Sequence, residues 1–453
     1  MNLPNYFLAD LPADADLSPT IVTEACQTLK RNRDRYLASR STQSLIQTLS
    51  KLASEWLQAD SPFRKLALAH GPEATGFSEA TLANGLDSLF KQLTPENLEA
   101  SLEQDLGNGM RLEEMVASDV EERTERAAIV TAPEFLVHIA AGDIPNPVLH
   151  SMVLGLLMRS AQFVKCASGS SLVPRLFAHS LYEAEPKLGA CLEIAEWRGG
   201  NAPLEEALFA QADCVTATGS DETLAAIRRR LPSRARFVGY GHRVSFAFVT
   251  SGVLSGLNAR KVVERAAADV AAWNQLGCLS PHVIYVESGG KISPEQFAAM
   301  LGEELARREE AEPRGELPVE TAAVISSRRS FYEVRAAHSE ETRLWRSKDS
   351  TAWTVVYESD ARFQMSCLNR FIYIKSVADL NEALTAADGF RDKVSTVGLA
   401  ATEDKAQALA TQLARWGATR VCPLGRMQDP PLMWRHDGRL ALGDLVRWTD
   451  WEV

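Results

Sequence analysis

No two of the seven cysteines (Cys26, Cys166, Cys191, Cys214, Cys278, Cys367 and Cys422) stand in a Cys-x-x-Cys spacing, and their number is odd. That argues against a disulfide framework and against a zinc site, so no metal is expected and a reducing cytoplasm is the expected compartment. Apolar runs are short. The richest, Met152 to Met158, falls far below the roughly 18 residues that a membrane-spanning helix needs, so no membrane span is expected. The opening residues, MNLPNYFLADLPADAD, have neither the basic region nor the apolar core of an export signal. Basic charge is also in deficit, with 48 Lys and Arg against 59 Asp and Glu, a formal net charge of -11. No nucleic-acid partner is expected of such a chain. A local basic pocket for an anionic ligand remains compatible with it. Internal repeats and low-complexity segments are absent.

What is present is an ordinary globular composition, 45% hydrophobic and 24% charged over 453 residues. That length supports two or three domains with sizeable cores. The first part reads as helical. Leu45, Leu49, Leu52 and Trp56 recur at helical spacing, as do Leu82, Leu86, Leu89 and Leu93, and Thr94-Pro95-Glu96 is a helix start. From about residue 133 short apolar runs alternate with amphipathic segments. Strands are expected at 135–139, 162–165, 192–195 and 214–217, and another opens at Phe237-Val238. A second alternating block runs from about 241 to 425, with a helix at 259–273, a strand at 282–286, a helix at 295–308 and a solvated acidic stretch at 309–316. Strands at 353–357, 371–374 and 396–399 follow, with helices at 378–387 and 405–416. The pattern is α/β, with parallel sheets covered by helices, and such sheets take ligands beyond the C-terminal ends of their strands.

Cys278 stands apart from the other cysteines, which sit in apolar or helical contexts. It lies in Asn274-Gln-Leu-Gly-Cys-Leu-Ser-Pro281, between a helix ending near Trp273 and the strand that starts at His282. Gly277 permits a sharp turn, and Pro281 restricts Ser280 to extended backbone. A thiol on such a connection can be reached by a ligand, with backbone N–H groups near it to face an oxyanion. From the residues alone a catalytic and a structural thiol are equally supported.

The run Gln275-Leu-Gly-Cys-Leu-Ser-Pro-His-Val-Ile-Tyr-Val-Glu287 resembles the nucleophile segment of the aldehyde dehydrogenase superfamily, and most of all that of the acyl-CoA reductase family of bacterial luminescence. Phe135-Leu-Val-His-Ile-Ala-Ala-Gly-Asp-Ile-Pro145 is similar to the segment that carries the superfamily's oxyanion-side asparagine. Phe163-Val-Lys-Cys-Ala-Ser168 is similar to the adenosine-ribose segment. Glu196-Trp-Arg-Gly-Gly200, Thr218-Gly-Ser-Asp-Glu222 and the tail from His436 to Trp448 follow in the right order. The resemblance covers residues 130–453. It implies an aldehyde-dehydrogenase-like α/β fold with two parallel-sheet domains. The expected divisions are a helical region over 1–130 packed on the cofactor domain, an NADP-binding domain over 131–240, a catalytic domain over 241–425 and a tail, 426–453, returning to the cofactor domain.

The implied chemistry is reduction of an acyl thioester to a fatty aldehyde, with Cys278 holding the acyl group as its thioester. Hydrolytic superfamily members carry a water-activating glutamate where this chain has Gly239, and no glutamate lies between Leu231 and Val263. An enzyme that keeps its acyl intermediate from water should lack that base. His242 has two readings, a proton relay or a hydrogen-bonding residue at a strand end. Asp143 stands where the superfamily has an oxyanion-binding asparagine. An ionised aspartate only accepts hydrogen bonds, so either Asp143 is protonated, or Asn146 or the Cys278 backbone N–H stabilises the charge.

NADPH is the expected cofactor. Lys165 ends a strand where a ribose or phosphate is met. Ser168 replaces a glutamate that NAD-preferring members place three residues on, which removes repulsion against a 2′-phosphate. Gly219 and Ser220 open a helix whose amides can face a pyrophosphate, or form an ordinary N-cap. Gly239 completes the cofactor-facing set. The substrate is then an acyl-CoA or acyl-protein, with an acyl-protein synthetase as partner and a homo-oligomer as the assembly. Two other functions compete: an acyl-transfer protein that loads Cys278 without reduction, and a dehydrogenase of another activated carboxylate such as an acyl phosphate.

Overall fold

The computed structural model describes residues 3–12, 15–140, 142 and 144–452. Asp143 lies outside the described residues. Contacts gather into two compact units. The first comprises Met1–Thr75, Leu86–Gly241 and Pro431–Val453, and the second Gly76–Gly85 and His242–Pro430.

The first unit begins with helices whose starts are written in the sequence. Ser18 caps Pro19–Asn32 by accepting from Ile21 N–H, Ser41 caps Thr42–Trp56, and Thr94 caps Pro95–Leu106. Each such cap stabilises its helix by about 1 kcal/mol. Leu45, Leu49, Leu52 and Trp56 are buried as their spacing predicts. The Trp56 ring stacks on Phe90 at 4.9 Å between centroids, and its N–H donates to Ser180 Oγ.

Strand β1, Arg126–Thr131, is followed by β2, Phe135–Ile139, then β3, Ala161–Cys166, β4, Leu192–Glu196, β5, Cys214–Thr218, and β6, Arg236–Tyr240. The last five form a sheet in the order β4-β3-β2-β5-β6, and every neighbouring pair is parallel. From β2 the chain steps outward through β3 and β4, then crosses back to β5. The order therefore reverses between β2 and β5, which is where such sheets open a ligand crevice. All six residues of β3 are buried, as expected of a strand covered on both faces.

The second unit holds β7, Val244–Val249, β8, Pro281–Glu287, β9, Thr342–Arg346, β10, Thr354–Glu358, β11, Phe371–Val377, β12, Val394–Ala400, and β13, Arg420–Pro423. Their order is β13-β12-β7-β8-β11-β10-β9, and only the edge strand β9 is antiparallel. The alternation of side chains feeds two cores. Ile284, Val286, Ile372 and Ile374 enter one, while Val283, Tyr285, Phe371 and Tyr373 enter the other. The final strand, β14, Arg447–Glu452, belongs to the first unit and pairs antiparallel with β1.

Several elements depart from the sequence reading, among them the unexpected strands β1, β7, β9, β13 and β14. The helix expected to end near Trp273 stops at Ala271, because Trp273, Asn274 and Gln275 take left-handed backbone angles. A long helix, Val319–His338, went unread. Its buried face carries Arg329 and Tyr332 beside Ile325, while Val319, Val324, Phe331 and Val334 are exposed. That inversion erases the amphipathic signal. Among the described residues no helix is long and apolar enough to cross a membrane.

Candidate active site

In the first unit an open pocket of about 460 Å³ lies at the β2/β5 reversal, lined among others by His138, Pro145, Ser151, Ser170, Thr216 and Thr218. Its floor is rigid. His138 is buried, with Nδ1 2.7 Å from Thr216 Oγ1 and Nε2 2.8 Å from Gln162 Oε1. Burial pushes its pKa down to about 4, so the ring is neutral.

Lys165 sits at Ile139's partner position on β3. Its side chain is 4% exposed, and its ammonium makes no hydrogen bond to another described residue. Its Nζ lies 5.9 Å from the Trp197 ring centroid and 4.0 Å from where a side chain on Gly199 would begin. Burial pulls its pKa below the ordinary lysine value, against the opposing pull of Glu205, Cys166 and Glu196. A buried ammonium without a hydrogen-bond acceptor is costly unless a ligand supplies one.

Ser168 is exposed on the turn that follows β3. The next residue, Gly169, has φ +82° and donates its N–H to Glu196 at 2.6 Å. Sequence reasoning passed over Glu196 as a carboxylate. It stands beside the loop that follows β3, held by that N–H. Ser220 is the N-cap of Asp221–Arg230, accepting from Thr223 N–H, and Gly219 donates to Tyr240 C=O at 3.2 Å.

Gly239 lies in β6, where a Cβ would sit 2.9 Å from Phe237 and 3.2 Å from Leu224. The place of the missing base is thus crowded at its first carbon. The tail fills the space around it: Arg439 donates to Gly239 C=O at 2.9 Å. Arg439 also lies over the Tyr240 ring, which His436 stacks at 4.2 Å. These contacts of Arg439 and His436 were not legible in the sequence, because they join segments about 200 residues apart.

The second unit carries the nucleophile candidate. Cys278 is exposed, whereas Cys26, Cys166, Cys191, Cys214 and Cys422 are buried. Burial pushes those five thiols up to about 12, which makes them poor nucleophiles. The Cys278 connection is held by specific bonds. Ser245 Oγ donates to Cys278 C=O at 2.8 Å and accepts from Thr396 N–H. Trp273, Asn274 and Gln275 have φ of 48°, 50° and 64°, at a cost of roughly 1 kcal/mol each.

A second left-handed run, Leu368, Asn369 and Arg370, with φ of 58°, 54° and 63°, braces the first. Arg370 Nε donates to Asn274 Oδ1 at 3.1 Å, and Gln275 Nε2 donates to Phe371 C=O at 3.0 Å and Pro281 C=O at 2.7 Å. Trp273 is clasped by Phe77 at 5.2 Å, and its indole occupies the space where a side chain on Gly85 would go.

His282, four residues beyond Cys278, accepts from Ser366 N–H through Nδ1 at 3.1 Å, which leaves its proton on Nε2. Burial, then the neighbouring charge of His242, push its pKa down to about 4. His242 itself is exposed on the connection between β6 and β7. The second unit therefore brings His242 into the surroundings of His282 and of the strand that Cys278 precedes. Among the described residues no group of three His, Cys, Asp or Glu side chains is placed to hold a metal ion.

The family model described as acyl-CoA reductase (LuxC) matches residues 37–448. Long-chain acyl-protein thioester reductase 2 of Photobacterium leiognathi is 22% identical over 321 residues, 70% of this chain and 63% of that protein. The long-chain acyl-protein thioester reductase of Vibrio harveyi is 20% identical over 322 residues, 70% of this chain and 64% of that one. The match thus spans less than two thirds of the length of these relatives.

Among solved structures, the NADP-dependent glyceraldehyde-3-phosphate dehydrogenase of Bacillus halodurans C-125, complexed with NADP, aligns with a TM-score of 0.70 at 14% identity, covering 96% of this chain and 92% of that one. The Delta-pyrroline-5-carboxylate dehydrogenase of Mycobacterium tuberculosis aligns with a TM-score of 0.68 at 14% identity, over 97% and 83%. The fold is that of the aldehyde dehydrogenases, as the nucleophile segment implied. With the family model spanning most of the N-terminal helices, both sheets and most of the tail, the chain belongs to the acyl-CoA reductase (LuxC) family.

Proposed function

We propose that this protein reduces a long-chain acyl thioester, carried on CoA or on a protein, to the fatty aldehyde, with NADPH as the reductant and Cys278 as the acyl carrier. The observation that carries the reading is the exposed Cys278 thiol on a strained, hydrogen-bonded loop, in a chain whose five deeply buried cysteines are inert.

The reaction takes place on the sulfur. Cys278 as thiolate attacks the thioester carbonyl, a new C–S bond forms, and the thiolate of CoA or of the carrier departs. When bound, the reduced nicotinamide supplies the hydride that turns the S-acyl group into a thiohemiacetal. Collapse of that adduct releases the aldehyde and returns the thiolate. Gly239 stands where hydrolytic members of the superfamily carry a water-activating glutamate, and the lack of that side chain favours an S-acyl group kept from water. His242 serves as proton relay.

The dinucleotide fits the first unit. The pocket stands at the sheet's reversal, Lys165 offers a buried ammonium lacking a hydrogen-bond acceptor, and Gly219 and Ser220 lead into a helix N-terminus. Ser168 leaves room for a 2′-phosphate. The relatives' name, long-chain acyl-protein thioester reductase, supports an acyl-protein donor and hence an acyl-protein synthetase as partner. The test follows absorbance of the reduced nicotinamide with a series of acyl-CoAs, for the parent protein and Cys278→Ala. NADPH consumption that varies with acyl chain length and vanishes in the variant is expected. A variant as active as its parent would overturn the reading. Acyl labelling of Cys278 without NADPH oxidation would favour an acyl-transfer protein instead.

A further inference from the structure

Gly277 precedes the nucleophile, and its φ is not in the left-handed region, so its backbone does not call for glycine. Space does. A Cβ there would sit 2.5 Å from Gln428 Nε2, 2.7 Å from Oε1 and 3.0 Å from Cδ. The Gln428 amide therefore points its nitrogen and oxygen at the space beside Gly277. The same Nε2 donates a short hydrogen bond to the hydroxyl of Ser280, which is 1% exposed. One side chain thus grips the loop immediately before Cys278 and two residues after it.

Gln428 is itself fixed from behind. Asp269, 2% exposed on the helix Gly256–Ala271, accepts from Gly425 N–H at 2.5 Å through Oδ2 and from Met427 N–H at 2.9 Å through Oδ1. Arg420 donates to Met427 C=O at 2.7 Å and to Arg426 C=O at 2.8 Å. Gly425 takes φ +90° and abuts Arg265, and Met427 is wholly buried against Gly398. Two buried charged groups are thus spent on a five-residue turn whose outlet is one glutamine. The same bonds seat Leu424 and Met427 in the second unit's core and carry Gln428 out beside the Cys278 loop. Their outcome is a fixed amide over the nucleophile's loop.

We propose that Gln428 is a positioning residue that clamps the Gly277–Ser280 turn in the arrangement from which Cys278 accepts an acyl group, and that Gly277 is glycine in order to admit that clamp. The proposal rests on the acyl-thioester reading for its chemistry. The clamp itself stands on geometry within the second unit. Near-attack placement of a nucleophile is sensitive to shifts of about 1 Å, and the amide meets the loop on both sides of the thiol.

The test is a double-mutant cycle on the full chain with Gln428→Ala, Gly277→Ala and the pair, with Ser280→Ala as a second way to open the clamp. Two rates are read by mass spectrometry of the Cys278 peptide: S-acylation by a long-chain acyl-CoA, and alkylation by iodoacetamide. Each single variant is expected to slow both rates by about tenfold, and Ser280→Ala by less. The double variant should be no slower than Gln428→Ala alone, because the added methyl then meets no amide. In steady state kcat falls while KM for NADPH stays within about twofold, a split that a general loss of structure does not give.

Penalties that multiply in the double variant would overturn the proposal, as would parental rates in both Gln428→Ala and Ser280→Ala. Parent protein that alkylates but never acylates would sink the acyl-thioester reading instead, and the alkylation cycle would still decide the clamp.

Discussion

The two units solve the problem of making a site in different ways. The first uses topology. Five parallel strands reverse order once, and the crevice at that reversal already holds the pocket, with a buried lysine on β3 and mostly ordinary backbone angles. The second uses strain. Its seven-stranded sheet shifts register where β7 meets β8 and β12, and the connection that carries Cys278 holds three consecutive left-handed residues, braced by three more. A dinucleotide is met by many weak groups spread over a surface. A nucleophile is one atom, and it needs a position that regular structure does not offer.

The sharpest way to break this contrast is Cys278→Ala. Turnover should fall on the order of a thousandfold or more. Binding of the dinucleotide and the unfolding of both units should be unchanged, because the residue is exposed. A fall in dinucleotide affinity would show that the thiol also shapes the other site.

Next in size is Arg370→Met. Its guanidinium is fully buried, pairs with Glu309 at 2.9 Å and holds Asn274. Removing it leaves the buried Asn274 Oδ1 unsatisfied and frees the partly exposed Glu309 to meet water, at a cost of about 1–3 kcal/mol. Hydrogen exchange should report the loss in peptides of β8, β10 and β11 and leave β2, β3 and β5 protected. Equal loss in both sheets would contradict the assignment of the brace to the second unit.

Acid separates the units more gently. In the first, His138 and His150 have pKa values pushed down to about 4, each chiefly by burial. Between about pH 6.5 and 4.5 the unfolded chain binds protons that these folded rings refuse, so stability falls as pH falls. Glu193 works the other way. Burial pushes its pKa up to about 8, so the fold holds a proton that the unfolded chain gives up above about pH 4.5, and one histidine is offset. The net slope is one proton, about 1.4 kcal/mol lost per pH unit. In the second unit His282, pushed down to about 4, is balanced by Asp269, which burial raises to about 7. Urea unfolding followed by exchange labelling at pH 6.5 and 5 should show the first unit weakening and the second holding. Parallel weakening would refute the balance.

The smallest effect concerns cofactor choice. If the proposed NADPH site holds, Ser168→Glu puts a carboxylate where the ribose phosphate would be met and should shift preference toward NADH by about tenfold. Unchanged preference would mean that Glu196, already at that loop, sets it.

The sequence told most where a residue acts through its neighbours in the chain. β2 runs over the expected 135–139, the capping hydroxyls begin their helices, and Cys278 falls on a helix-to-strand connection as its flanking glycine and proline suggested. It told least where a residue acts through distant ones. Val319–His338 hides its polar face inward, against β9 and β10, which only the folded chain supplies. Gly277 looked like a turn residue, but the reversal is made by Trp273 to Gln275, and the glycine makes room for an amide 151 residues away.

Residue order alone therefore showed the α/β alternation and the parallel sheets and set Cys278 apart on a turn, because periodicity, capping and turn chemistry act over a few residues. Folding settled what makes that thiol usable. Left-handed backbone at Trp273, Asn274 and Gln275 is unfavourable for any of them in isolation. It persists because Arg370, Phe77 and the backbone of Pro281 and Phe371 converge on it, and that convergence exists only once the sheet has formed.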